Sequence, residues 1–87
     1  MVSQKVVIKN EAGLHARPAG ILAKEAMKCK SNVMILVGEK KVQVKSVLNL
    51  MAAAIKCGME VELVCDGENE EAELKELVAL IESGLGE

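Results

Sequence analysis

From Val2 to Lys9 the side chains alternate, with Gln4, Val6 and Ile8 on one face and Lys5, Val7 and Lys9 on the other. That period of two predicts a strand with one buried face. Asn10-Glu11-Ala12-Gly13 follows as turn-forming sequence and delivers Leu14 and His15 to the lip of the next element. From Pro18 to about Met27 the period lengthens: Ala19, Leu22, Ala23, Ala26 and Met27 stand at i, i+3, i+4, i+7 and i+8, one face of a helix. Pro18 suits the first turn, where its missing N–H costs nothing. Because the residue before a proline avoids the α region, Arg17 is expected at the boundary, with His15 and Ala16 just outside it. His15 then looks onto a helix N-terminus.

Val33 to Val37 is a continuous β-rich run, Gly38-Glu39-Lys40 turns, and Val42 and Val44 alternate with Lys41 and Gln43, which predicts a hairpin. Ser46 stands before a short Ala- and Leu-rich segment, Val47 to Ile55, read as a two-turn helix with Ser46 at its N-cap. Gly58 closes that region. Met59, Val61, Leu63 and Cys65 then alternate as a fourth strand, and Asp66-Gly67 ends it. A last helix starts near Asn69 with Glu70, Glu71 and Glu73 in its first turn, where the helix dipole favours anions, and buries Leu74, Leu77, Val78 and Ile81. Gly84-Leu85-Gly86-Glu87 reads as a frayed tail. The order β-α-β-β-α-β-α implies a sheet buried on one face, with the helices gathered there in an open-faced sandwich.

The chain has 87 residues, enough for one small domain spanning 1–87 with a single core. Hydrophobic residues make up 51% of it without one Phe, Trp or Tyr, so the core is aliphatic. A net charge of −2 and the lack of any aromatic ring for stacking on a base argue against nucleic-acid binding. No apolar run approaches the roughly 20 residues of a membrane span and no signal-type segment opens the chain, so a cytoplasmic location is expected. Cys29, Cys57 and Cys65 are odd in number, widely spaced and form no Cys-x-x-Cys pair, which fits reduced structural thiols better than a disulfide framework or a zinc site.

The chain's single His, single Arg and single Pro fall within four positions, in Gly13-Leu14-His15-Ala16-Arg17-Pro18-Ala19. Metal binding fails for want of further ligands, so no metal and no cofactor are expected. A nucleophile–base triad fails because no serine or cysteine has a credible triad partner: the base must be oriented by a third group, and only one histidine exists. Nucleophilic attack by His15 on a phosphoryl group asks for less: the helix N-terminus offers backbone donors, and Arg17 adds a planar fork suited to phosphate oxygens. On the pattern alone a solvated loop histidine is an equal reading. Val47, Leu48 and Met51 exceed what a two-turn helix can bury on one side, and a docking patch with Gly20 and Ala16 is the reading weighed against an all-core one.

The motif around His15, together with Lys45-Ser46-Val47-Leu48 and the closing Gly-Leu-Gly-Glu, resembles the HPr family, the histidine-containing phosphocarriers of the bacterial phosphoenolpyruvate:sugar phosphotransferase system. The resemblance covers the whole chain. It implies an α+β fold, an open-faced β-sandwich of four antiparallel strands with three helices on one face. It implies a stoichiometric carrier and not a turnover enzyme: His15 takes a phosphoryl group from enzyme I and passes it to sugar-specific enzyme IIA domains, with Arg17 stabilising the group in transfer. It also implies Ser46 phosphorylation by an HPr kinase/phosphorylase and a catabolite-control transcription factor as partner of the product. No long apolar edge or heptad supports a stable homodimer, so a monomer that meets its partners transiently is expected. Gly20 stands where many members carry a larger residue, and Ala12 where a polar one is common, both beside the expected site. Two other readings remain: a regulatory HPr-like module working through Ser46, which His15 counts against, and a carrier of a nitrogen-related phosphotransferase branch. An RNA-binding or small-ligand module is disfavoured by the acidic charge and absent aromatics.

Overall fold

The computed structural model describes residues 1–11 and 13–85; Ala12, Gly86 and Glu87, and with them the reading of Ala12 as a departure beside the site, lie outside the described residues. Its elements are β1 (Val2–Val7), α1 (Ala16–Met27), β2 (Asn32–Val37), β3 (Lys40–Gln43), α2 (Val47–Ala52), β4 (Glu60–Asp66) and α3 (Glu70–Glu82). The strands form one sheet in the order β1-β4-β2-β3, and every neighbouring pair is antiparallel. The α+β open-faced sandwich expected above is the observed fold, with one face of the sheet closed by helices.

Alternation decides which side chains enter the core. Val6 and Ile8, Val33 and Ile35, Val42, and Val61, Leu63 and Cys65 are all buried from the sheet, against Ala19, Leu22, Ala23 and Ala26 of α1 and Leu74, Leu77, Val78 and Ile81 of α3. Each fully buried aliphatic side chain contributes about 1.5–3 kcal/mol relative to an exposed one, so a core without rings is sufficient. Small residues on α1 let that helix sit close to its neighbours.

Four expectations need correction. The first helix starts at Ala16 and not Pro18, so Arg17 lies inside it. The preference imposed by Pro18 yields to closure of the first turn, where the Ala19 N–H donates to the His15 carbonyl at 2.8 Å. Met27 is 67% exposed, because eight residues beyond Ala19 the helix has turned about 80° away from the buried stripe. Lys40 belongs to β3, which leaves a two-residue turn, Gly38-Glu39; Gly38 at φ +59 supplies the left-handed residue such tight hairpins need.

The tail is the fourth. Leu85 is only 1% exposed. Ser83 caps α3, Gly84 takes φ +94, and the N–H groups of Gly84 and Leu85 donate to the carbonyls of Ile81 and Leu80. That pair of bonds is the Schellman motif, which turns the chain back and sends the residue after the glycine into the core.

Candidate functional site

His15 is the N-cap of α1, with extended backbone (φ −86, ψ −170) and no hydrogen bond from its side chain to the helix. The residue is exposed at the helix mouth, and its imidazole is not spent on capping. Ala16 and Arg17 occupy the first two helical positions, where backbone N–H groups have no partner within the helix, and Pro18 at the third has no N–H to leave unpaired. No acidic residue stands in the first turn of α1, so the helix itself carries no carboxylate at its positive end. Arg17 is exposed in the same turn. An anion beside His15 thus meets backbone donors, the helix dipole and a guanidinium.

The loop that presents His15 is held from behind. Gly13 donates its N–H to the Asn10 carbonyl at 2.9 Å, and the buried Asn10 amide nitrogen donates back to the Gly13 carbonyl. Leu14 is buried, and its N–H donates to the Ile55 carbonyl at 2.9 Å. Gly13 has φ +66, and a Cβ there would lie 2.8 Å from the Lys56 Cα. Only glycine fits, for conformation and for space together. The segment after α2 is thus the wall against which the His15 loop is seated. Ala54, within that segment, takes φ +55, a conformation that costs a residue with a Cβ about 1 kcal/mol or more.

Ser46 is the N-cap of α2, and its hydroxyl accepts the Asn49 N–H at 3.2 Å. Beside it the Lys45 ammonium donates to the Cys29 carbonyl at 3.3 Å. α2 buries Leu50 and leaves Val47, Leu48 and Met51 exposed at 37%, 79% and 38%. Ala16 is exposed and Gly20 half-buried on α1, and a Cβ added to Gly20 would meet nothing within 4 Å. α1 and α2 pack against each other. The packing accordingly leaves Val47, Leu48 and Met51 of α2 uncovered, against the all-core reading, and buries Leu50 instead.

Cys65 is buried, Cys29 half-buried and Cys57 exposed. Burial pushes the Cys65 thiol up to about 11. Among the described residues no group of three His, Cys, Asp or Glu could hold a metal ion, and no helix is long and apolar enough to cross a membrane.

Two features escape a reading by periodicity. Glu73 of α3 accepts the N–H of Lys30 at 2.8 Å and of Ser31 at 3.1 Å, and the Ser31 hydroxyl as well, fastening the start of β2 to the last helix. Those bonds, that from the Ser31 hydroxyl first, hold its carboxyl below the usual range. The second is charge by position. Residues 1–59 carry ten Lys and Arg against three Asp and Glu, while residues 60–87 carry one against ten. Counting charge on either side of residue 59 exposes this division, which the overall charge of −2 conceals.

A family model described as the PTS HPr component phosphorylation site matches residues 2–83. The chain is 46% identical over 69 residues to the phosphocarrier protein HPr of Mycoplasma capricolum subsp. capricolum, covering 79% of this chain and 78% of that one. It is 40% identical over 82 residues to the HPr-like protein Crh of Bacillus subtilis, covering 94% and 96%. The crystal structure of HPr-C-His from Thermoanaerobacter tengcongensis superposes with a TM-score of 0.95 at 40% identity, covering 100% and 98% of the two chains. An HPr dimer from the same organism superposes at 0.79, with 40% identity and full coverage of both.

Proposed function

The chain belongs to the HPr family of the phosphotransferase system, a family of phosphocarriers, and from that premise we propose that His15 is its phosphoryl acceptor, charged by enzyme I and discharged to sugar-specific enzyme IIA domains. A lone pair on the imidazole forms an N–P bond as the donor's bond to phosphorus breaks, its electron pair leaving with the donor. The second transfer runs the same step with the roles exchanged. Arg17 and the first-turn amides offset charge on the phosphoryl oxygens in both directions. What carries this reading is His15, exposed and not spent on capping, at a helix mouth without an acid in its first turn. Ala16, Gly20, Val47, Leu48 and Met51 form the docking surface in this proposal, and the whole chain acts as one domain, monomeric and in the cytoplasm.

Ser46 is the regulatory residue of the same proposal. Phosphorylation by an HPr kinase/phosphorylase adds about −1.5 to −2 of charge at a helix start, where the dipole tolerates it. The added charge sits beside the docking residues Val47 and Leu48, lowering affinity for enzyme I and creating the surface read by a catabolite-control transcription factor. The similarity to Crh supports a second reading, a regulatory module acting through Ser46 alone.

Incubation with phosphoenolpyruvate, magnesium and enzyme I, followed by intact mass, separates the two. Gain of one acid-labile, alkali-stable phosphoryl group, absent from His15→Ala, is the expected result. No gain from an enzyme I competent on another HPr overturns the carrier reading in favour of the Ser46 module.

A further inference from the structure

Between Lys40 and Met59 the chain has four lysines, Lys40, Lys41, Lys45 and Lys56, and no Asp or Glu. Three of them border one groove. A hollow of about 440 Å³ lies between β3 and the flank of α2, lined by Lys40, Lys41, Val42, Asn49, Ala52 and Ala53. A second hollow, of about 570 Å³, shares Lys40 and Ala53 with it and runs on past Lys56 and Met59 to Glu60, the one carboxylate in the lining of either. The three lysines are exposed, and none enters a salt bridge among the described residues.

The groove runs along a free edge. β3 is the last strand of the sheet, so one side of its backbone has no strand partner. Lys41 pairs with Leu36 in register and points to the open face of the sheet, whereas Lys40 and Val42 point to the helical face. A strand laid along this edge would find a cation on each of its faces.

We infer that this groove receives an extended, acidic segment of a partner protein, which pairs its backbone with the free edge of β3 and sets carboxylates against Lys40, Lys41 and Lys56. Main-chain bonds supply the affinity and the lysines the selection, as in other strand additions. Exposed ion pairs contribute little each, so the contact is weak, fast and salt-sensitive, suited to a protein that exchanges partners. α2 shows Val47, Leu48 and Met51 to solvent while its Asn49 and Ala52, with the C-cap residue Ala53, border the groove. A partner seated on the exposed residues of α2 can therefore extend into the groove. The inference concerns a surface that does not include His15 and stands apart from the phosphoryl chemistry.

The test is an amide-shift titration of the full ¹⁵N-labelled chain with a short peptide of repeating Glu-Glu-Val-Val, which carries carboxylates on both faces when extended, and with its lysine-for-glutamate counterpart. Saturable shifts confined to Lys40–Gln43, Asn49, Ala53 and Lys56 are expected with the acidic peptide alone. The dissociation constant should rise about tenfold or more between low salt and about 0.3 M salt, as screening shortens the reach of the lysines. A Lys40→Glu/Lys41→Glu variant, shown by its unperturbed remaining amides to be folded, should weaken binding about tenfold. Shifts spread equally over Lys5, Lys24 and the other lysines, binding that survives the double variant, or no shift in β3 would each overturn the inference. The last outcome would leave the lysines as protection of a short edge strand against pairing.

Discussion

At the scale of single residues, the His15 loop depends on positions that carry no chemistry. Gly13 is required twice, by its φ of +66 and by its approach to the Lys56 Cα. Gly13→Ala is therefore expected to lower stability by about 1–3 kcal/mol, read as a reduced urea midpoint. It should slow the phosphoryl transfer proposed for His15 too, because the Leu14 N–H to Ile55 carbonyl bond is displaced with it. The cysteines make a separate prediction. Cys57 is exposed and Cys65 is not, so an alkylating reagent should modify Cys57 first and reach Cys65 only when the chain unfolds. Burial raises the Cys65 pKa to about 11 from 9.0, so the unfolded chain releases this proton first. Stability is then unaffected below pH 9 and falls as pH rises through that interval. The presence of each of these residues was legible in the sequence. The need for glycine at position 13 was not, because the atoms that exclude a Cβ lie more than forty positions further along the chain.

At the scale of elements, short helices are decided at their ends. α2 has six residues, below the length at which a helix is stable alone, so the Ser46 cap and the burial of Leu50 carry much of it. Ser46→Ala should cost about 1 kcal/mol in thermal or urea unfolding. Ser46→Asp, which keeps an acceptor oxygen and adds charge where the dipole favours it, should be near neutral for stability; the proposed regulatory role of Ser46 further predicts that it lowers affinity for enzyme I. α3 ends in a hook that places Leu85 in the core. Leu85→Ala should cost about 2–5 kcal/mol, a loss that a frayed tail would not show. The start of α1 moved for a related reason: the rule about residues before proline describes an isolated dipeptide, whereas here a closed first turn with His15 outside it outweighs that preference.

For the whole molecule, Glu73 joins α3 to the start of β2 through three accepted bonds. Because these bonds lower its folded pKa, their contribution is complete above the ordinary glutamate range near 4.3 and is lost as pH falls through the folded value. Acid unfolding followed by circular dichroism should therefore be shallower for Glu73→Gln, which should be less stable than the parent at pH 7 by about 1–3 kcal/mol, since the buried Ser31 loses a charged acceptor. The division of charge, basic through residue 59 and acidic beyond it, becomes a property of surfaces only after folding. The β3–α2 groove then gathers lysines from β3 and from the segment that precedes β4.

Local sequence was enough to determine the seven elements described, their order, the buried stripe of α3, that of α1 apart from Met27, and the Ser46 cap, because each depends on residues within a few positions of one another. The motif around His15 was legible for the same reason: His15, Arg17 and Pro18 are neighbours in the chain before they are neighbours in space. Tertiary structure alone decided what distant segments do to one another. It placed the Ile55 carbonyl on the Leu14 amide, the Glu73 carboxylate on the start of β2, Leu85 in the core, and three lysines around a groove at a sheet edge. These contacts form only once the chain is folded, and no pattern within one element encodes them.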